Sequence, residues 1–280
     1  MNSNILLSSE VETVLKKVLP ECKVDLNIIS GFCKLSTLQF LDSLIRNNIK
    51  KRLLIRFLPS DIASGSTDKE IYKYCKENGW SIYIDHTIHA KTYVFDRIKC
   101  IIGSANLTNK GIGLSSNSNK EASSFFEIDD EDYTKILSLY KDSIELDDAL
   151  YSYIISHVND QEIIDYKSYR KKDINIECLF PEDFPDSCTD IIELYNLRSY
   201  KWLIHYLEGL ESKSSYFGEI TACIHQIFVR DPRPYRKDIK QHLIDLLDAI
   251  KRLHIQEIKI SRPNHSEKIE LVVLPELIED

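Results

Sequence analysis

Apolar residues in the first 130 positions fall into short β-branched runs separated by amphipathic stretches. Val24 to Ser30 is rich in β-branched residues and stops at Gly31, which predicts a strand. Leu35 to Arg46 has helical spacing, with Ser36 as a plausible cap. Arg52 to Phe57 predicts a second strand, ended by Pro59. Ser66-Thr67-Asp68 opens a helix through Glu77, and Gly79 closes it. Three strands follow, at Trp80 to Ile84, Ala90 to Phe95 and Cys100 to Gly103. A loop of Ser, Asn and Gly spans Leu107 to Lys120, then Ala122 to Ile128 gives one more strand. Glu131 to about Tyr151 has the pattern of one charged amphipathic helix. Strand–helix alternation followed by a hairpin predicts an α/β sandwich with a mixed sheet over residues 1–155.

Between 156 and 189 the pattern weakens. Lys167 to Lys172 is basic, and Pro181 and Pro185 stand among acids, so this stretch is expected to be a linker or crossover. Residues 190–280 form a second, mainly helical domain. Its helices are expected at Ile192 to Leu210, Gly218 to Val229 and about Pro234 to His254. Strands at Ile255 to Ile260 and Lys268 to Val273 form a terminal hairpin around Arg262-Pro263-Asn264-His265. Three helices and a hairpin are compatible with a winged helix-turn-helix.

The 280 residues are 43% hydrophobic and 29% charged, ordinary for a soluble globular protein. No apolar run approaches the ~20 residues of a membrane helix, and the N-terminus has no signal-peptide pattern, so a cytoplasmic protein with no membrane partner is expected. Seven cysteines at long spacings, without a Cys-x-x-Cys pair, suggest buried thiols and not a disulfide framework or zinc site. A net charge of −8 argues against a broad nucleic-acid-coating surface but allows a local basic cleft.

The chemistry concentrates between His89 and Glu121. His89-Ala90-Lys91 leads through Asp96 to Gly103-Ser104-Ala105-Asn106, and Asn119-Lys120-Glu121 follows. Side chains alternate along a strand, so His89 and Lys91 share a face. With a turn centred on Arg97 and Ile98, Phe95 pairs with Cys100, Lys91 lies opposite Ser104, and His89 lies opposite Asn106. Opposed residues have Cβ atoms ~5 Å apart, so one register gathers four functional groups. Arg97-Ile98 is not a favoured two-residue turn; a three-residue loop would shift the count.

The set suits attack on a phosphate ester without a metal or cofactor. A neutral imidazole at His89 can attack phosphorus. Lys91 can hold the non-bridging oxygens as charge develops. Ser104 and Asn106 can donate hydrogen bonds to those oxygens. Glu121 can orient the His89 ring through its other nitrogen, with Glu127 a nearby rival. Asp96 falls on the opposite face and is expected to be a turn residue, and Gly103 a structural member of the motif.

These residues are identified as the motif of the phospholipase D superfamily, His-x-Lys-x4-Asp-x6-Gly-Ser-x-Asn, with every fixed position matched. Leu107-Thr108 and Asn119-x-Glu121 resemble its nuclease branch. The resemblance covers roughly residues 1–150 and implies an α-β-α sandwich and a two-histidine mechanism. One histidine forms a phosphohistidine, and the other is the general acid. None of the other seven histidines stands in a second copy of the motif. The family's answer to a single copy is a homodimer with one composite site, which is the expectation here.

The implied activity is a metal-independent phosphodiesterase. A nuclease on DNA is favoured over RNA, in a setting such as restriction or phage defence. A phosphatidyl-transferring enzyme and a non-enzymatic nucleic-acid-binding or scaffold protein with a silent site remain open. Lys110, Thr108 and Asn119 are candidate substrate contacts, although a loop with Gly111 and Gly113 also reads as a solvated turn. Arg230, Arg233, Arg236, Lys237 and Lys240 could meet DNA, or could form a solvated helix face. Trp202, Tyr195 and Tyr206 have helical spacing and are expected in the core.

Overall fold

The computed structural model describes residues 4–158, 178–185, 187–228 and 236–272. Two compact units divide the chain, one ending at Asp165 and one beginning at Tyr166. The first is an α/β unit on a mixed eight-stranded sheet, the arrangement expected from the sequence pattern. Its order is β1 (Ile5–Leu7), β7 (Ala122–Glu127), β6 (Lys99–Gly103), β5 (Thr92–Phe95), β2 (Asp25–Ser30), β3 (Lys50–Ile55), β4 (Trp80–Ile84) and β8 (Ile144–Glu145). The central strands β2, β3 and β4 run parallel and every other pairing is antiparallel.

Every residue of β2 is buried, the polar Asp25, Asn27 and Ser30 as well as Leu26, Ile28 and Ile29. Polar exceptions at the start of β2 are satisfied internally. Arg52 Nη1 donates to Asn27 Oδ1 (3.2 Å), Asn27 Nδ2 donates to Asp25 Oδ1 (3.4 Å), and Arg97 Nε donates to Asp25 Oδ2 (2.9 Å). Such pairing is what lets charges sit where Arg52 is 1% exposed and Asp25 is fully buried. Helix α1 (Ser9–Val18) buries Val11, Leu15 and Val18, and helix α2 (Leu35–Leu44) buries Thr37, Leu38 and Leu41.

Five expectations are corrected by the fold. Ser36 does not cap α2; the first N–H, from Leu35, donates instead to the Asp68 carboxylate at 2.8 Å. The helix expected to open at Ser66-Thr67-Asp68 starts later. A short α3 (Pro59–Ala63) comes first, and α4 spans Ile71–Glu77. The stretch from Glu131 to Tyr151 is not one helix. It splits into α5 (Asp130–Leu137), strand β8 and α6 (Asp148–Ser156), because Asp147 caps a new start by accepting the Leu150 N–H (2.7 Å).

The hairpin register also differs by one residue. Asp96 and Arg97 both adopt left-handed backbone (φ 51° and 65°), and the Ile98 N–H donates to Phe95 O (3.1 Å). Phe95 therefore pairs with Lys99, and Val94 with Cys100. The Asp96 carboxylate fixes this turn by accepting N–H groups from Lys23, Val24 and Asp25 (3.0, 2.7 and 3.2 Å). Lys91 thus comes opposite Gly103, not Ser104, and Ser104 and Asn106 reach the site through the loop beyond the ladder.

In the second unit, α7 (Ile191–Asn196) and α8 (Arg198–Glu208) replace the single helix expected from Ile192 to Leu210. Leu197 between them is extended (ψ 131°). Trp202 stacks on Tyr206, with Trp202 and Tyr195 buried. Strand β9 (Ser214–Tyr216), α9 (Phe217–Ile227), α10 (Arg236–Arg252), β10 (Ile258–Ser261) and β11 (Lys268–Leu271) follow. The strands form a sheet in the order β10-β11-β9. Helix–strand–helix–helix–hairpin is the element order of a winged helix. Arg230, Arg233 and Lys167 to Lys172 lie outside the described residues, as does the Arg236 side chain.

Candidate active site

Antiparallel and parallel pairings together bring one set of strand ends to one edge of the first sheet. The C-terminal ends of β2, β3 and β6 meet the N-terminal ends of β5 and β7 there. His89 and Lys91 precede β5, Ser104 and Asn106 follow β6, and Glu121 precedes β7.

His89 is exposed and is delivered by a tight turn. Asp85 Oδ1 accepts the Thr87 N–H and hydroxyl (2.8 Å each), and Ile88 is buried behind it. The ring lies above Gly31. A Cβ placed on Gly31 would stand 3.4 Å from Asn106 Oδ1 and 4.0 Å from His89 Nδ1, so Gly31 floors the space between them.

Asn106 is held rigidly. Its Oδ1 accepts the Phe32 N–H (3.1 Å) and lies 3.2 Å from the Ser30 hydroxyl. Ser30 Oγ also accepts the Leu107 N–H (2.9 Å), and Leu107 O accepts the Lys34 N–H (2.9 Å). With Oδ1 occupied, Nδ2 keeps its two N–H donors for a ligand; it bonds no other described residue. The Tyr93 phenol, fully buried, donates to Ala105 O (3.0 Å) and fixes the loop between Ser104 and Asn106. Burial pushes this phenol far above its ordinary pKa, so it stays a donor.

Lys91 is 8% exposed and its ammonium donates to His89 O. Burial lowers its pKa, Glu121 opposes that shift, and the nearby charge of Arg56 adds to it. Glu121 accepts from the Ser104 hydroxyl and from Asn119 Nδ2 (3.0 Å). The bond from Glu121 to the His89 ring suggested by the spacing is not formed. Ser104, expected to face substrate oxygens, instead donates to Glu121 and accepts the Ala122 N–H (3.1 Å).

Gly103 permits this arrangement. A Cβ there would meet Ala122 O and Ser123 Cα at 2.5 Å. Thr108 Oγ1 accepts the Gly111 N–H (3.0 Å), so its hydroxyl shapes the loop. Lys110 is exposed, and its carbonyl accepts the Asn119 N–H (3.0 Å). Asp96 lies at the far end of the hairpin, in the turn already described.

The structure adds residues that no motif spacing pointed to. Ser30, Gly31 and Phe32 shape the seat of Asn106, and Arg56 stands beside them. Ser30 and Gly31 end a strand visible in the sequence, but nothing local marks them as partners of a residue 76 positions later.

This edge therefore brings together an exposed imidazole, a buried ammonium and a fixed carboxamide around one glycine floor. The profile of the family described as "Cardiolipin synthase, PLD-like domain" matches residues 15–142. The match supports the phospholipase D superfamily for these residues. No curated protein matches the chain in sequence.

Among solved structures, the chain is similar to Nuc, a phospholipase D family member from Salmonella typhimurium. The identity is 12% and the TM-score 0.39, over 51% of this chain and 97% of that one. It is also similar to NucT from Helicobacter pylori, with 13% identity and a TM-score of 0.36, over 54% of this chain and 95% of that one. For the phosphatidylserine synthase of Haemophilus influenzae Rd KW20 the identity is 12% and the TM-score 0.46. That match covers 61% of this chain and 44% of the synthase.

Proposed function

We propose that the chain is a metal-independent nuclease that forms a phosphohistidine at His89 and completes its site as a homodimer. The observation that carries this reading is the meeting of His89, Lys91 and Asn106 at one sheet edge, with Ser104 and Glu121 tied beside them. In the first step an imidazole nitrogen of His89 forms a bond to phosphorus. The ester P–O bond breaks, and the leaving oxygen takes a proton from the partner's His89. Lys91 and Asn106 Nδ2 offset the charge growing on the non-bridging oxygens. In the second step water attacks the phosphohistidine. The partner's His89 accepts the proton from that water, and the P–N bond breaks.

Two features support a dimer. The motif occurs once, so one chain supplies one of the two histidines. The sheet edge also exposes apolar side chains next to the site. Ile5 and Ile102 both register with Ser124, so they share a face with Leu7, and these three residues are 63%, 41% and 57% exposed.

A polar rim supports nucleic acid over lipid. Lys110 and Lys120 are exposed on the 107–120 loop, which otherwise presents Asn and Ser. The rival reading is phosphatidyl transfer, which the cardiolipin synthase description of the family favours. Purified protein and His89→Ala are incubated in EDTA with DNA, RNA and phospholipid vesicles. Cleavage of nucleic acid that vanishes in His89→Ala supports the proposal. Turnover of vesicles alone transfers it to the rival, and a requirement for added magnesium refutes the histidine mechanism.

A further inference from the structure

Arg56 follows β3 directly and stands at the same edge as His89, Lys91 and Asn106. Its guanidinium donates through Nε and Nη2 to the two oxygens of Asp61 (2.7 and 2.6 Å). This fork leaves Nη1 without a partner among the described residues. The carboxylate is the inner member of the pair: the Asp61 side chain is 8% exposed and that of Arg56 is 23% exposed. An inner carboxylate thus presents an outward guanidinium.

The other face of the guanidinium lies over the Phe32 ring, 4.8 Å from its centroid. Phe32 is also the residue whose N–H holds Asn106 Oδ1. The loops carrying Arg56 and Phe32 are joined further along. Asp68 accepts from Leu35 N and Lys34 Nζ (2.8 and 2.5 Å), Gly65 O accepts from Lys34 Nζ (2.7 Å), and Thr67 Oγ1 accepts from Cys33 N (3.4 Å). Arg56 is therefore fixed relative to Asn106, and its charge reaches Lys91. A cation set in this way costs little further ordering when it meets an anion.

We propose that Arg56 binds the phosphate adjacent to the scissile one along a nucleic-acid strand, with Asp61 and Phe32 as its positioning residues. This rests on the nuclease reading and extends it from the reacting phosphate to its neighbour. Arg56 follows a strand two places from β5, roughly 10 Å across the sheet. It lies beside the reacting group and not on it.

The test compares wild type, Arg56→Gln, Arg56→Lys and the double variant Arg56→Gln/Asp61→Asn in EDTA. Substrates are DNA and bis(p-nitrophenyl) phosphate, a diester with no neighbouring phosphate. The double variant guards against misfolding, because it leaves no nearly buried carboxylate unpaired. For Arg56→Gln and the double variant, KM for DNA should rise about tenfold and the slope of log KM against log salt should fall by about 0.7–0.9, one phosphate contact. Arg56→Lys should keep the slope and lose part of the affinity. The ratio of kcat/KM on DNA to that on the small diester should fall by about tenfold. Equal losses on both substrates, or an unaltered salt slope, overturn the assignment of Arg56 alone. A wild type that hydrolyses the small diester but no nucleic acid overturns the nuclease reading and this proposal with it.

Discussion

Replacing Gly103 by alanine tests how the site depends on close approach of β6 and β7. The added methyl would lie 2.2 Å from Ser123 Oγ and 2.5 Å from both Ala122 O and Ser123 Cα. Carbon contacts are comfortable near 3.5–4.0 Å, so the two strands must separate by roughly 1 Å. Ser123 Oγ can rotate away, but the other two atoms are backbone and cannot. Ala122 O also accepts the Ser104 N–H (3.0 Å), so the same displacement weakens that bond. Overpacking of this kind costs ~1–3 kcal/mol, and the strained backbone bond adds about 1 kcal/mol. A loss of about 2–4 kcal/mol is expected from urea unfolding followed by circular dichroism.

Activity per folded molecule should fall as well, because Ser104 and Glu121 move apart. Adding Ser123→Ala should not restore the variant, since the backbone contacts remain. Gly218, with nothing within 4 Å of an added Cβ, is the control: Gly218→Ala should be neutral or stabilising by a few tenths of a kcal/mol. Wild-type stability and activity in Gly103→Ala, or full rescue by Ser123→Ala, would show that the backbone of β7 does not require glycine at this position.

Other perturbations separate positioning from folding. Gly31→Ala places a methyl at ordinary contact distance from its neighbours, so the thermal midpoint should hold while kcat/KM drops at least tenfold; unaltered kcat/KM counts against the glycine floor. Asp96→Ala removes the acceptor for three N–H groups and should cost about 2–3 kcal/mol in urea unfolding, with activity per folded molecule retained. The alkaline limb of kcat/KM on the small diester should begin below the ordinary lysine value of 10.5, because burial lowers the Lys91 pKa and activity is lost as pH rises through it. Glu121→Gln should move that limb lower and Arg56→Gln higher, since they remove an opposite and a like charge; shifts of the reverse sign would remove Lys91 as the titrating group.

What the sequence revealed follows from how local each signal is. The motif names His89, Lys91, Ser104, Asn106 and Glu121 because short strands bring nearby segments together, and the core strands are marked by short apolar runs such as Leu53-Leu54-Ile55. The hairpin register escaped because it depends on left-handed backbone at Asp96 and Arg97, held by N–H groups about seventy residues earlier. The cap of α2 escaped for the same reason: Asp68 supplies from a distance what Ser36 promises locally. Ser30, Gly31 and Arg56 sit at ends of strands that the pattern does show. Their relation to Asn106 and Lys91 is created only when β2 and β3 align beside β5.

The central claim is that one chain holds half of the active site. Sedimentation of the 32.6 kDa chain across a dilution series, with cleavage in EDTA measured on the same samples, tests it directly. Activity should follow the dimer and disappear with it on dilution. A species sedimenting as a monomer with full specific activity would contradict it.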